Sequence, residues 1–127
     1  MKITKISAVT LLVSDMKRSV DFYSKIPNFK IVYGGPDAKF TSFLINDTAK
    51  SYLNLKLNET HSTDFGRIIF YTEDVDDLFT YMQDNKIISE LGKFESKPQD
   101  AVWGERFFHM LDPDGYKMSF ATPLGDE

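Results

Sequence analysis

Apolar residues along the chain follow two rhythms, a period of two and a helical stripe, and the order of the two rhythms repeats. Over residues 6–13, Val9, Leu11 and Val13 point one way and Ala8, Thr10 and Leu12 the other, which predicts a strand. Ser14-Asp15 then offers an N-cap, and Met16, Val20, Tyr23 and Ile26 recur at helical spacing before Pro27. Extended runs follow at 29–33, 40–45 and 52–57, separated by Gly34-Gly35-Pro36-Asp37 and Asn46-Asp47-Thr48. Three strands joined by short turns make an antiparallel meander.

A polar connection over 58–64 leads into a second apolar strand at 66–72. Asp74 caps a second helix whose stripe is Val75, Leu78, Phe79 and Met82. Strands are expected around 92–96, over 103–111 and over 116–121. The last two are joined by Asp112-Pro113-Asp114-Gly115, whose Asp, Pro and Gly suit a type I turn.

The two halves align directly. Leu12-Val13-Ser14-Asp15-Met16 matches Tyr71-Thr72-Glu73-Asp74-Val75 at an offset of roughly 59 residues, a repeat of supersecondary size. The expectation is an α+β fold of two tandem βαβββ modules within one domain, residues 1–127. Module one covers about 1–58 and module two about 64–123.

Composition narrows the function. At 127 residues, 42% hydrophobic and 27% charged, the chain is long enough to bury a core without staples. It has no cysteine, which removes thiolate metal sites and thiol nucleophiles. A net charge of −4, with 15 basic residues scattered among 19 acidic ones, speaks against nucleic-acid binding. No apolar run approaches a membrane span and Met1-Lys2-Ile3-Thr4-Lys5 opens no leader-like stretch, so no membrane association and a cytoplasmic location are expected.

Three groups of residues carry a resemblance: Val13-Ser14-Asp15 with Ser19-Val20-Asp21-Phe22-Tyr23, then Glu73-Asp74-Val75-Asp76, then Asp112-Pro113-Asp114-Gly115. In that order, on a duplicated module, they resemble the vicinal oxygen chelate superfamily of glyoxalase I, extradiol dioxygenases and the fosfomycin- and bleomycin-resistance proteins. The resemblance implies modules that curl as mixed sheets around a ligand cleft, and a homodimer. It also implies metal ligands, usually His, Glu or Gln, at four inward positions, which fall here on Ala8, Asn54, Arg67 and Ser119. Alanine cannot ligate, arginine is a permanent cation, and asparagine and serine are weak neutral donors. No catalytic metal and no cofactor are therefore expected.

Candidate ligand contacts follow from strand phase. Arg67 shares a phase with Ile69 and Tyr71, opposite Gly66, Ile68 and Phe70. It either grips a carboxylate or phosphate bidentately, or is taken up by Glu105 or another acid, or is left solvated. Trp103, the only tryptophan, opens Trp103-Gly104-Glu105-Arg106, which resembles an element of bleomycin-resistance proteins; it is equally suited to a pocket, a core or a dimer contact. His109 is placed inward because Phe108 and Met110 look like packing positions, either as a base or as a hydrogen-bonded structural histidine. Tyr52, Asn54, Tyr71 and Ser119 add hydroxyl and amide groups, although strands use tyrosine freely. His61 lies in a polar loop, and Asp76-Asp77 reads as first-turn helix charge. No phosphate loop or nucleophile elbow is present. The resulting expectation is a metal-independent small-molecule binding protein, with a glyoxalase- or dioxygenase-like enzyme as the alternative and a ligand-free regulatory module as a third reading.

Overall fold

Alternation and capping together set the elements of the computed structural model, which describes residues 1–2, 4–60, 62–64 and 66–125. His61 lies outside the described residues. The chain divides into two compact units, Met1–His61 and Ser62–Glu127.

The first unit runs β1 (Ala8–Val13), α1 (Met16–Tyr23), β2 (Lys30–Tyr33), β3 (Phe40–Asn46) and β4 (Ser51–Leu57). Its sheet has the order β1-β4-β3-β2, with β1 parallel to β4 and the other pairs antiparallel. Asp15 starts α1, its Oδ1 accepting from Arg18 N at 3.0 Å. The helix ends at Tyr23, short of Pro27, and Ile26 is buried in the turn beyond it. Leu11, Val13, Phe43, Leu53 and Leu55 make the buried face of the sheet, with Val20, Phe22 and Tyr23 of α1 buried too. Ahead of β3 the backbone turns at Gly34, φ 77°, where a Cβ would sit 2.1 Å from the Phe40 carbonyl oxygen. Only glycine fits there.

The second unit runs β5 (Arg67–Tyr71), α2 (Val75–Asp84), α3 (Lys86–Leu91), β6 (Lys93–Phe94), β7 (Gln99–Ala101), β8 (Glu105–Leu111) and β9 (Lys117–Pro123). Its sheet has the order β5-β9-β8-β6, with β7 also on β8 and β5 parallel to β9. First strand beside last, in parallel, is the topology of the first unit again. Asp74 starts α2 as Asp15 starts α1, its Oδ1 accepting from Asp77 N at 3.1 Å.

Two elements depart from the pattern read along the chain. Asn85 closes α2 and, by accepting from Ile88 N at 3.1 Å, opens α3, a six-residue helix too short to show a stripe. The strand expected around 92–96 is reduced to the two residues of β6, and polar β7 takes its place along much of β8.

Phe70, Phe120 and Phe108 stand in register across β5, β9 and β8, with neighbouring rings 5.3 Å apart. Phe79 of α2 meets Phe108 edge-on at 5.0 Å, so this is the helix-covered face. The closing turn is held by Gly115 N donating to Asp112 O at 2.9 Å, and by the buried Asp112 carboxylate accepting from Asp114 N and Tyr116 N. Among the described residues, no helix is long and apolar enough to cross a membrane.

Candidate functional site

Because side chains alternate across a strand, placing half-buried Phe70 and buried Phe108 and Phe120 on the helix-covered face forces their neighbours to the other one. That face of the second unit carries Arg67, Ile69 and Tyr71 from β5, Ser119 and Ala121 from β9, and Glu105, Phe107 and His109 from β8. The register arranges them in rows, Ile69–Ser119–His109 and then Tyr71–Ala121–Phe107, one two-residue step apart, about 7 Å along the strands.

A chain of polar contacts runs through the first row. Arg67 Nη1 donates to the Ser119 hydroxyl at 3.2 Å and to the Met118 carbonyl at 3.1 Å, and Ser119 Oγ lies 2.6 Å from His109 Nδ1. Ser119 Oγ accepts from Arg67 and shares one proton with His109 Nδ1, in the direction that the imidazole tautomer decides. Ser119 is only 3% exposed, and this chain of contacts satisfies its hydroxyl. His109 titrates below the ordinary 6.5, first because burial disfavours the imidazolium and then because Arg67 repels it; Glu95 acts the other way. The imidazole is neutral at pH 7.

Both hydrogen bonds of Arg67 leave from Nη1, and among the described residues no carboxylate lies within ion-pair distance of it. Glu105, the acid that its position suggested as a partner, is engaged elsewhere. It accepts from the Tyr71 hydroxyl, and from Trp103 Nε1 at 3.0 Å. The Glu105 contact holds the Tyr71 phenol above its ordinary pKa, chiefly through that hydrogen bond. To make the contact Tyr71 reaches from β5 across β9 to β8.

Trp103 is not in the strand expected over 103–111. The chain turns at Val102-Trp103-Gly104, with Gly104 at φ 95° donating to Ala101 O, so the indole stands at the tip of the β7–β8 hairpin. There it is 69% exposed and stacks on Phe107 with centroids 5.9 Å apart, while Phe107 lies 4.7 Å from the His109 ring. Tyr71 and Ile69 are 66% and 58% exposed. Five of the six residues singled out from the sequence, Arg67, Tyr71, Trp103, His109 and Ser119, therefore come together on one face. Glu105, Phe107 and Ile69 belong with them; their signal is the phase they share with His109 and Arg67.

Arg106, in the opposite phase to Glu105, clamps three elements. Its Nε meets Asp76 Oδ2 on α2 at 3.0 Å and its Nη1 meets Asp100 Oδ1 on β7 at 3.0 Å. Asp76 thus does more than complement the helix N-terminus, and the hairpin that bears Trp103 is tied to α2.

Asn54 belongs to the first unit. It pairs with Thr10, donating from Nδ2 to Thr10 Oγ1 at 3.3 Å, while Ala8 pairs with Tyr52 one step along. Ile69↔Ser119 repeats Thr10↔Asn54, so Asn54 and Ser119 hold equivalent places in the two units.

A family model described as the glyoxalase/bleomycin resistance protein/dioxygenase superfamily matches residues 5–120. The chain belongs to that superfamily. A glyoxalase-related enzyme from Fulvimarina pelagi is similar in structure, with a TM-score of 0.73 at 16% identity, over 97% of this chain and 94% of that one. The fosfomycin resistance protein FosX from Listeria monocytogenes gives 0.72 at 20% identity, over 97% and 96%. Lactoylglutathione lyase from Agrobacterium tumefaciens gives 0.73 at 15% identity, over 95% of each. No curated protein sequence matches. At these identities the likeness speaks for the superfamily fold.

The four positions where the superfamily resemblance put metal ligands do not form a donor set for a divalent ion. Ala8 has no donor atom, Asn54 points an amide N–H at Thr10, and Ser119 accepts from the Arg67 cation, the opposite of what a metal ligand beside a dication requires. Among the described residues, no three His, Asp or Glu side chains are grouped for a metal.

Proposed function

We propose that this superfamily member is a metal-independent small-molecule binding protein, whose ligand lies on the open face of the second unit. The observation that carries the reading is the Arg67–Ser119–His109 chain, which puts a cation and its hydrogen bonds where a ligating carboxylate would otherwise be needed. Beside it stand exposed aromatic rings next to a few placed polar groups, the usual make-up of a small-molecule site. Two similar proteins, a fosfomycin resistance protein and a lactoylglutathione lyase, carry names that refer to small molecules.

Elemental analysis of purified protein, paired with thermal unfolding with and without a chelator, tests the reading. It requires substoichiometric metal and an unchanged Tm; stoichiometric metal whose removal lowers Tm overturns it. A cytoplasmic homodimer is the working form we assign on the superfamily resemblance, and sedimentation equilibrium checks the dimer.

The His109–Ser119 contact favours a second reading, an enzyme with an atypical site, because in the tautomer whose Nδ1–H donates to Ser119 Oγ the neutral imidazole presents Nε2 as a general base. Ser119 itself is too buried to meet a substrate, so His109 would carry that role. Turnover that survives His109→Gln rejects it.

A further inference from the structure

We propose that the ligand class of this face is a planar aromatic carboxylate, its anion on Arg67 and its ring against Tyr71 and Trp103. The proposal deepens the binding reading above and rests on it.

The anionic end follows from the state of Arg67. It is a half-buried cation that, among the described residues, meets only neutral acceptors, through one of its terminal nitrogens. Nη2 and Nε remain for a forked acceptor, and a carboxylate matches that fork. The neutral His109 lies in the same row and adds no competing negative charge.

The aromatic end follows from the state of Glu105. Its carboxylate accepts from Tyr71 on one oxygen and from Trp103 on the other, so both rings are pinned while their faces remain largely exposed. Rings fixed before the ligand arrives lose little freedom on binding, and an indole stacked on Phe107 is backed against collapse. Glu105 is therefore a positioning residue.

Spacing joins the two ends. Arg67 reaches forward along β5 to Ser119, so its guanidinium lies at the Ile69–Ser119–His109 row, while Tyr71 and Phe107 occupy the next. One two-residue step, about 7 Å, separates anion site from ring site. A fused bicyclic acid spans that distance and an aliphatic acid of the same length lacks the flat face.

The single tryptophan makes the test direct, because its indole N–H gives one resonance in a ¹⁵N–¹H spectrum of the full chain. 2-Naphthoate is titrated against naphthalene-2-carboxamide, which keeps the ring without the charge, and cyclohexanecarboxylate, which keeps the charge without the ring. The expected result is saturable movement of the indole resonance by 2-naphthoate, with both controls at least tenfold weaker. Arg67→Met should weaken 2-naphthoate at least tenfold with Arg67→Lys in between. Trp103→Leu, followed through the naphthoate ring signals, should weaken it several-fold. Equal binding of the carboxamide, or unchanged affinity in a folded Arg67→Met, overturns the proposal. So does a failure of 2-naphthoate to bind at millimolar concentration. In that last case a mixed panel of cationic, neutral and thiol-conjugate compounds separates the two readings. If one of them moves the indole resonance, binding on this face stands and only the ligand class falls; if none does, both fall.

Discussion

Ser119→Ala removes the oxygen through which Arg67 and His109 communicate. The replacement leaves the strand, its buried neighbours and the Arg67 bond to the Met118 carbonyl in place, so the loss is confined to two contacts at 3.2 and 2.6 Å. A hydrogen bond to a charged group contributes about 1.5–3 kcal/mol and a neutral one about 0.5–1.5 kcal/mol. Arg67 and His109 are both only part-buried, which lets water replace some of what is lost and favours the lower half of that range. The expected destabilisation is about 2 kcal/mol. For a chain of this size that is a fall in Tm of roughly 8 °C.

Urea unfolding at pH 7.5 gives the stability, and NMR titration of His109 gives the second readout. Without the Ser119 hydroxyl the imidazole loses its Nδ1 partner, and its titration moves from the depressed position. A Ser119→Ala protein destabilised by less than about 0.5 kcal/mol, with the His109 titration unmoved, refutes the hydrogen-bond chain.

In the wild type, the folded state holds His109 below 6.5, so the unfolded chain binds the proton first. Its contribution is intact above the ordinary pKa and is lost as pH falls from 6.5 through the folded value; His109→Gln should flatten that part of a stability-against-pH curve. Glu105→Gln should bring the Tyr71 phenol back toward its ordinary pKa in a spectrophotometric titration, and loosen Trp103 as read by its indole N–H relaxation. Phe108→Ala opens the fully buried centre of the second unit, between Phe79 and Phe120, and should cost about 3–5 kcal/mol by chemical unfolding. Gly34→Ala forces a Cβ against the Phe40 carbonyl, so either the β2–β3 turn rearranges or stability falls by more than about 2 kcal/mol.

Helix starts were the most legible features of the chain, because Asp15 and Asp74 cap by local chemistry that needs no distant partner. Strand phase was legible for the same reason: one run of apolar residues at period two decides which face is buried, and His109 and Arg67 then have only one side to take. What was hidden depended on tertiary pairing. β7 is Gln-Asp-Ala, with no apolar alternation, and it is a strand because β8 offers it an unpaired edge and Arg106 binds Asp100. Trp103 looked like the first residue of a strand because aromatic residues favour strands. The positive φ of Gly104 turned it into a hairpin tip instead.

The hidden part is what makes the face chemically specific. From the sequence, Glu105 and Arg67 are two opposite charges of matching phase, and Coulomb attraction alone would pair them. They lie in different rows of the sheet, however, and Glu105 is nearer to Tyr71 reaching across β9 and to Trp103 brought back by the hairpin. Those two donors hold the carboxylate at the Tyr71–Trp103 end of the face, away from the Arg67 guanidinium at the Ser119 row. The acid thereby holds two rings, and among the described residues the cation keeps no carboxylate within ion-pair distance, which is the arrangement that the proposed anion contact rests on.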